Sequence, residues 1–308
     1  MESESGATGI LKNGRLLRRA QYVFRRDISA WVLMLPSLLI FVFFIWAPLI
    51  SGIHLSFFQT KGFDLVRFIG LQNYIDVISE SSFKSAVANT FKYVLWSLLL
   101  GFPLPILVGV MLNEVRRLKG LFRFAIYFPA IVPGIAAAIL WKLMYHPTAG
   151  LLNTLRGVMG MDPSLFIQSK DLVIPCIIIM MTWKGFGSTA ILYLASLQGV
   201  NQELYEASMI DGAGILRKFW NITLPQISGM FSLMFVMQVI GVFQVMYEPL
   251  SMTDGGPNNA SMSLMLTSYF YGFRFYQAGR AAAVGVVTFV ILLSLTFVYF
   301  RLQRSNDT

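Results

Sequence analysis

Charge is the first thing this sequence lacks. Only 13% of its 308 residues are Asp, Glu, Lys or Arg, while 56% are hydrophobic. A soluble domain carries about 25% charged residues. The deficit excludes an ordinary water-soluble domain and makes lipid the solvent for most of the chain. Cysteine is nearly absent. Cys176 stands alone in an apolar run, which excludes an internal disulfide and any cysteine-built metal site and marks the residue as packing. The two histidines, His54 and His146, lie far apart with no H-E-x-x-H spacing, so no metal site is expected. There is no GxxxxGK[ST] phosphate loop and no G-x-S-x-G elbow. An enzyme reading has nothing to stand on. Acids are scarcer than bases, giving a formal charge of +9, but the basic residues sit at the ends of apolar runs rather than in one patch. That distribution argues for orientation in a membrane and against a nucleic-acid partner.

What the chain does have is apolar length. Runs near 28–58, 86–112, 121–145, 172–197, 222–247 and 280–300 are each long enough to cross about 30 Å of hydrocarbon. The expected fold is therefore all-α, a polytopic membrane protein with six transmembrane helices. It divides into a polar arm (1–29), a first span within 30–60, an outer loop (61–85), a five-span core (86–301) and a short tail (302–308). The arm has neither the short apolar core nor the cleavage site of a signal peptide and is read as retained. Prolines at 36, 48, 103, 105, 129 and 133 predict kinks within the spans. Six spans put both termini on one side. Fourteen Lys and Arg lie on that side, six in the loops of the other, and four within or at span ends. The positive-inside rule then places the termini and the 199–221 loop in the cytoplasm.

That loop is the polar insert on which the chain turns. Asn201 and Glu203 suit a helix start, so Gln202 to Met209 is predicted helical. Asp211-Gly212-Ala213-Gly214 breaks the helix, and Ile215 to Trp220 restarts it. Glu206-Ala207-Ser208, Asp211-Gly212-Ala213, Ile222 and Leu224-Pro225 resemble the EAA loop of membrane subunits of ABC importers, with Ser208 standing where alanine is usual. The resemblance implies that this loop is a cytoplasmic coupling helix, with Glu206, Ala207, Ser208, Asp211, Gly212 and Ala213 docking on an ATPase. Gly70-Leu71-Gln72-Asn73-Tyr74 and Asp254-Gly255-Gly256-Pro257 resemble the carbohydrate-uptake, maltose-type branch of those permeases. From that branch follow the expected partners: a second permease subunit in a heterodimer, two ATP-binding subunits and an extracytoplasmic substrate-binding protein. No cofactor is expected on this chain, with ATP and Mg on the partner ATPase. The setting implied is the cytoplasmic membrane of a prokaryote.

Polar groups at membrane depth are the candidates for cargo contact, because hydrocarbon does not tolerate them without a cavity or partner. Trp183, Lys184, Gly185 and Ser188 form one such patch on the fourth span. On the fifth, Gln238, Gly241, Gln244, Tyr247 and Glu248 recur at helical spacing, so most could share a face. Maltose-type permeases take their sugar contacts from these two regions. The cargo implied is an oligosaccharide, and Lys184 leaves room for an acidic one. The bland reading of the same residues is interhelical hydrogen bonding by the glutamines and a snorkelling Lys184. Two other classes stay open: an ion-coupled secondary carrier, disfavoured because the span interiors hold almost no acid before Glu248, and an ABC permease for a non-sugar cargo. Tyr269 to Tyr276 supply an aromatic cluster expected to anchor at the membrane interface.

Overall fold

The protein is described by a computed structural model covering residues 28, 30–115 and 117–306. The basic arm expected at 1–29 lies almost wholly outside the described residues. The described residues fall into two compact units, divided between His54 and Leu55. In the first, α1 (Ala30–Leu55) is an apolar helix of 26 residues, long enough to cross a bilayer.

The second unit opens with a hairpin, β1 (Phe58–Lys61) and β2 (Asp64–Phe68), paired antiparallel. Helix α2 (Gln72–Ser79) follows, then the long α3 (Ser81–Glu114). The third expected span is two helices, α4 (Lys119–Ile131) and α5 (Gly134–Met144), bent by 91°. After α6 (Leu151–Val158) comes α7 (Val173–Leu197), the central helix. The 202–226 segment holds α8 (Gln202–Ile210) and α9 (Ile215–Gln226), and α10 (Ser228–Phe243) leaves α9 at 81°. Two short helices, α11 (Tyr247–Thr253) and α12 (Leu264–Tyr269), precede the last long helix, α13 (Ala278–Asn306). Four helices are long and apolar enough to cross a membrane, or up to six if each bent pair is one span.

The prolines act in two ways. Pro48, Pro103 and Pro225 each follow a π-helical turn, Val42–Trp46, Ser97–Gly101 and Phe219–Thr223, that ends two residues before the ring. The wide turn absorbs the missing N–H and the clash with the preceding carbonyls, so the helix continues. Pro133 instead ends a helix. The residue before it, Val132, is extended (ψ 128°), as a residue preceding proline prefers.

The core runs along α7. Tyr93 of α3, Ala138 and Tyr145 around α5, Ile174, Ile177 and Met180 of α7, and Met252 of α11 form one buried cluster. Cys176 lies in it, buried as expected. Gly187 lets α4 and α7 touch, since a Cβ there would lie 2.0 Å from the Ile126 carbonyl oxygen.

The end carrying β1–β2 is not the plain polar loop expected at 61–85. Asn73 donates to the carbonyls of Ser56 and Phe58 at 2.9 and 2.8 Å. Arg280, in the first turn of α13, pairs with Asp76 at 2.8 Å and Glu80 at 3.4 Å, and the Tyr271 hydroxyl donates to Glu80. The connection 254–263 folds onto α3. Asn89 donates to the carbonyls of Asn259 and Met262, and Tyr93 to that of Ser261. The aromatic cluster expected as an interfacial anchor divides. Phe270 and Tyr271 are buried in the protein, while Phe273, Phe275 and Tyr276 are exposed.

Candidate functional site

Two regions carry the residues singled out from the sequence. The first is the α8–α9 insert. Its start is built as expected, with the Asn201 side chain accepting from the Glu203 N–H at 3.0 Å. Helix α8 ends one residue later than predicted, at Ile210. Gly212 then takes φ +68°, and the N–H of Ala213 returns to the Ser208 carbonyl at 2.9 Å. The insert is tied down on one side. Ser208 is buried, its hydroxyl donating to the Tyr205 carbonyl, and Tyr205 and Thr223 share a hydroxyl–hydroxyl bond of 3.0 Å. Tyr205, Phe219 and Leu224 pack on Ile106, Tyr193, Leu197 and Ile227.

The other side is open. Glu206, Ala207, Asp211 and Gly212 are exposed, and Ala213 is half-buried. Beside them stand apolar side chains that sequence reasoning passed over: Ile210 at 88% exposure, Ile215 at 83%, Leu216 at 76% and Trp220. The readable signal was their position on both sides of the Asp-Gly-Ala-Gly break.

The second region is a cavity of about 250 Å³ where α3, α7 and α10 face one another. Ser97 and Gly101 line it from the π turn of α3, Thr182 and Gly185 from α7, and Gln238 and Gly241 from α10. Convergence is tight at Gly101, where a Cβ would lie 3.0 Å from the Thr182 hydroxyl and 3.4 Å from the Gln238 amide nitrogen. A side-chain amide, the hydroxyls of Ser97, Thr182 and Thr189, and exposed glycine backbone can bind a polar, uncharged group.

The structure gathers Gly185, Gln238 and Gly241 at this cavity and leaves the other candidates elsewhere. Trp183, Lys184 and Ser188 do not line it. Trp183 packs edge-on to Trp141 of α5, with ring centroids 5.8 Å apart. Helix α10 stops at Phe243, so Gln244 is an exposed cap residue, while Tyr247 and Glu248 belong to α11. No ion pair joins Lys184 and Glu248 among the described residues. Neither histidine joins a metal-ligand group: no cluster of three His, Cys, Asp or Glu suited to a metal exists among the described residues.

Residues 101–307 match the family described as binding-protein-dependent transport system inner membrane component. This chain belongs to that family. The trehalose/maltose transport system permease protein MalF of Thermococcus litoralis is 30% identical over 91% of this chain and 95% of its own length. A bacterial ABC transporter involved in the import of the acidic polysaccharide alginate contains a chain that superposes with a TM-score of 0.81 at 25% identity, covering 93% of this chain and 99% of that one. The alginate transporter in complex with an alginate pentasaccharide-bound periplasmic protein matches with a TM-score of 0.80 at 25% identity, covering 93% and 98%. As a family member this chain is a membrane permease subunit of an ABC importer and not an enzyme; ATP hydrolysis belongs to a separate subunit.

Proposed function

We propose that the chain moves a carbohydrate, of oligosaccharide size, across the cytoplasmic membrane by alternating access, with six spans and with both termini and the α8–α9 insert on the cytoplasmic side. The α8–α9 insert is the coupling element, and the apolar side chains beside Glu206 seat it in a cleft of an ATP-binding subunit. The tie between Tyr205 and Thr223 carries its movement into the helix that leads to α10. The cavity lined by Gln238, Thr182 and Gly185 is where cargo passes. A second permease subunit completes the path, two ATPases holding ATP and Mg drive it, and a binding protein delivers the cargo at the end carrying β1–β2.

The single observation that carries this reading is the cavity between α3, α7 and α10, because its polar lining is uncharged and is set among membrane-length helices. Lys184 does not line this cavity, and no other charged side chain does, which favours an uncharged part of the cargo there. The likeness to a trehalose/maltose permease and to an alginate importer supports a saccharide.

The test is uptake of radiolabelled trehalose, maltose and an alginate oligosaccharide by cells carrying the complete system with this chain intact or deleted, together with Glu206→Lys. Wild type should move one of the three, and Glu206→Lys should insert normally yet lose uptake and retain no ATPase on affinity purification. Normal uptake in the variant would remove the coupling assignment.

A further inference from the structure

Arginine is used in two ways in this chain. Arg67 gives its Nε–H to the Gln59 side chain at 2.7 Å, and Arg156 gives its own to the Asp162 carbonyl at 2.9 Å. Arg274 pairs with Asp254, and Arg280 with Asp76 and Glu80. Arg117, Arg123, Arg217 and Arg301 have no ion pair or side-chain hydrogen bond among the described residues. A guanidinium keeps its charge and presents a fork of donors that fits phosphate or carboxylate. The second group is therefore free to take acceptors from outside the chain.

Arg117 stands in the turn that joins α3 to α4, and Lys119 opens α4. Both are exposed, and Glu114, the acid nearest in sequence, pairs with neither. From this turn an apolar stripe runs along α4. Leu121, Phe124, Phe128 and Ile131 recur at three- and four-residue steps, which puts them on one face. They are 60%, 59%, 52% and 59% exposed. Gly120 heads the stripe, and a Cβ there would meet nothing within 4 Å, so the space beside it is open. The packed side of the helix is elsewhere, where Ile126 meets Gly187 of α7. Lys119 leaves the helix on another side but at the same level, where its flexible stem can follow a headgroup.

Length and charge together narrow the partner. From Leu121 to Ile131 the stripe rises about 15 Å, half of the roughly 30 Å hydrocarbon layer. It ends there, at the 91° bend between α4 and α5. Two cations above one leaflet's depth of exposed apolar surface match a single phospholipid, phosphate at the head and acyl chain below. A soluble subunit could cover the basic turn but not the stripe, which lies at hydrocarbon depth. We propose that the α3–α4 turn and the outward stripe of α4 bind an anionic phospholipid. Its phosphate sits on Arg117 and Lys119, and an acyl chain lies along Leu121, Phe124, Phe128 and Ile131. This rests on α3 and the α4–α5 pair being spans, as proposed above, and not on the identity of the cargo.

Phe124→Trp reads the stripe, because bromine on an acyl chain quenches an indole that it touches. The complete complex is placed in bilayers of phosphatidylcholine with a minor share of phosphatidylglycerol, one lipid or the other brominated. Quenching is taken relative to the complex without the added tryptophan. Phosphatidylglycerol should show an advantage of about ten- to thirtyfold per molecule, the worth of two basic residues at an anionic surface. Arg117→Gln combined with Lys119→Gln should bring the two lipids level. Equal quenching by both lipids in the parent would make the stripe ordinary lipid-facing surface and overturn the proposal. So would a preference that survives the double change, or a double variant that loses the ATP-binding subunit on purification, which would give the basic turn to that subunit. Phe297→Trp on α13, where Phe297 is 62% exposed, is the control for the membrane itself. If it is quenched and Phe124→Trp is not, a protein chain covers the stripe and the lipid site is wrong. If neither is quenched, the span reading fails and takes this site with it.

Discussion

At the end of the bundle formed by residues 56–80 and 254–280, buried polar side chains find partners across long sequence distances. Asn73 holds two carbonyls before β1 and within it, Asn89 and Tyr93 hold the 259–262 turn, and Arg280 sits between Asp76 and Glu80. At the end formed by residues 202–226, one hydroxyl pair joins Tyr205 to Thr223, and large apolar side chains stand in the open. The first end is closed by its own bonds. The second is held lightly and left uncovered, as a surface must be if a partner is to grip and move it. In this protein the long-range hydrogen bonds between side chain and backbone gather at the first end, while the surface proposed to meet the ATP-binding subunit is held by few of them.

The largest effect should come from prising the closed end apart. A Cβ on Gly279 would lie 2.3 Å from the Phe58 carbonyl oxygen and 2.8 Å from the Asn73 amide nitrogen. Both groups are fixed, so Gly279→Val must push β1 off α13, at a cost of about 3 kcal/mol. Chemical denaturation in detergent should show that loss. A variant as stable as wild type would mean that this end is loosely packed after all and that the contrast fails.

The comparison predicts the opposite pattern at the open end. Ile210→Asp combined with Leu216→Asp should leave stability untouched, since both side chains are largely exposed. The same change should weaken retention of the ATP-binding subunit by about thirtyfold or more, if these are anchor residues of that interface. Titration of the purified subunit against the permease reads this directly. Unchanged affinity would leave the exposed patch without a partner.

How far these two ends could be read from sequence follows from what each is made of. The open end was legible because its signals are local: a capping Asn201, a glycine turn and a short polar insert between apolar runs. Its apolar contact residues were missed because hydrophobicity alone does not tell a core residue from an interface one. The closed end was not legible, since its bonds join residues as far apart as Asn89 and Met262, and spacing along the chain carries no trace of that. The cavity was half legible. Helical periodicity let most of Gln238, Gly241, Gln244, Tyr247 and Glu248 share a face, but α10 stops at Phe243. Nothing in Phe-Gln-Val-Met-Tyr signals a stop, having neither proline nor glycine, so the last three residues were carried onto a helix that does not contain them. Prolines were readable as perturbations only. The sequence does not distinguish Pro103, absorbed by a π turn, from Pro133, which breaks a helix.

The smallest effect tests whether charge contributes to the closed end at all. Asp76 accepts from the Gln72 amide at 2.7 Å and pairs with Arg280; the hydrogen bond first and the arginine with it hold its carboxyl below the usual range, against the opposing effect of burial. A carboxyl with a depressed folded pKa contributes stability that is fully present above its unfolded value of about 3.9 and is lost as pH falls through the folded value. Arg280→Met removes the arginine's share and leaves that of Gln72. The variant should therefore be less stable than wild type at pH 7 by no more than about 1 kcal/mol, because the pair is partly exposed. The gap should narrow once pH drops below about 4, and it should narrow again at pH 7 in molar salt. A gap that ignores both pH and salt would assign the contribution of Arg280 to the packing of its alkyl chain. The closed end would then owe its strength to neutral hydrogen bonds such as those of Asn73 and Asn89, and the contrast with the open end would be one of bonding geometry alone.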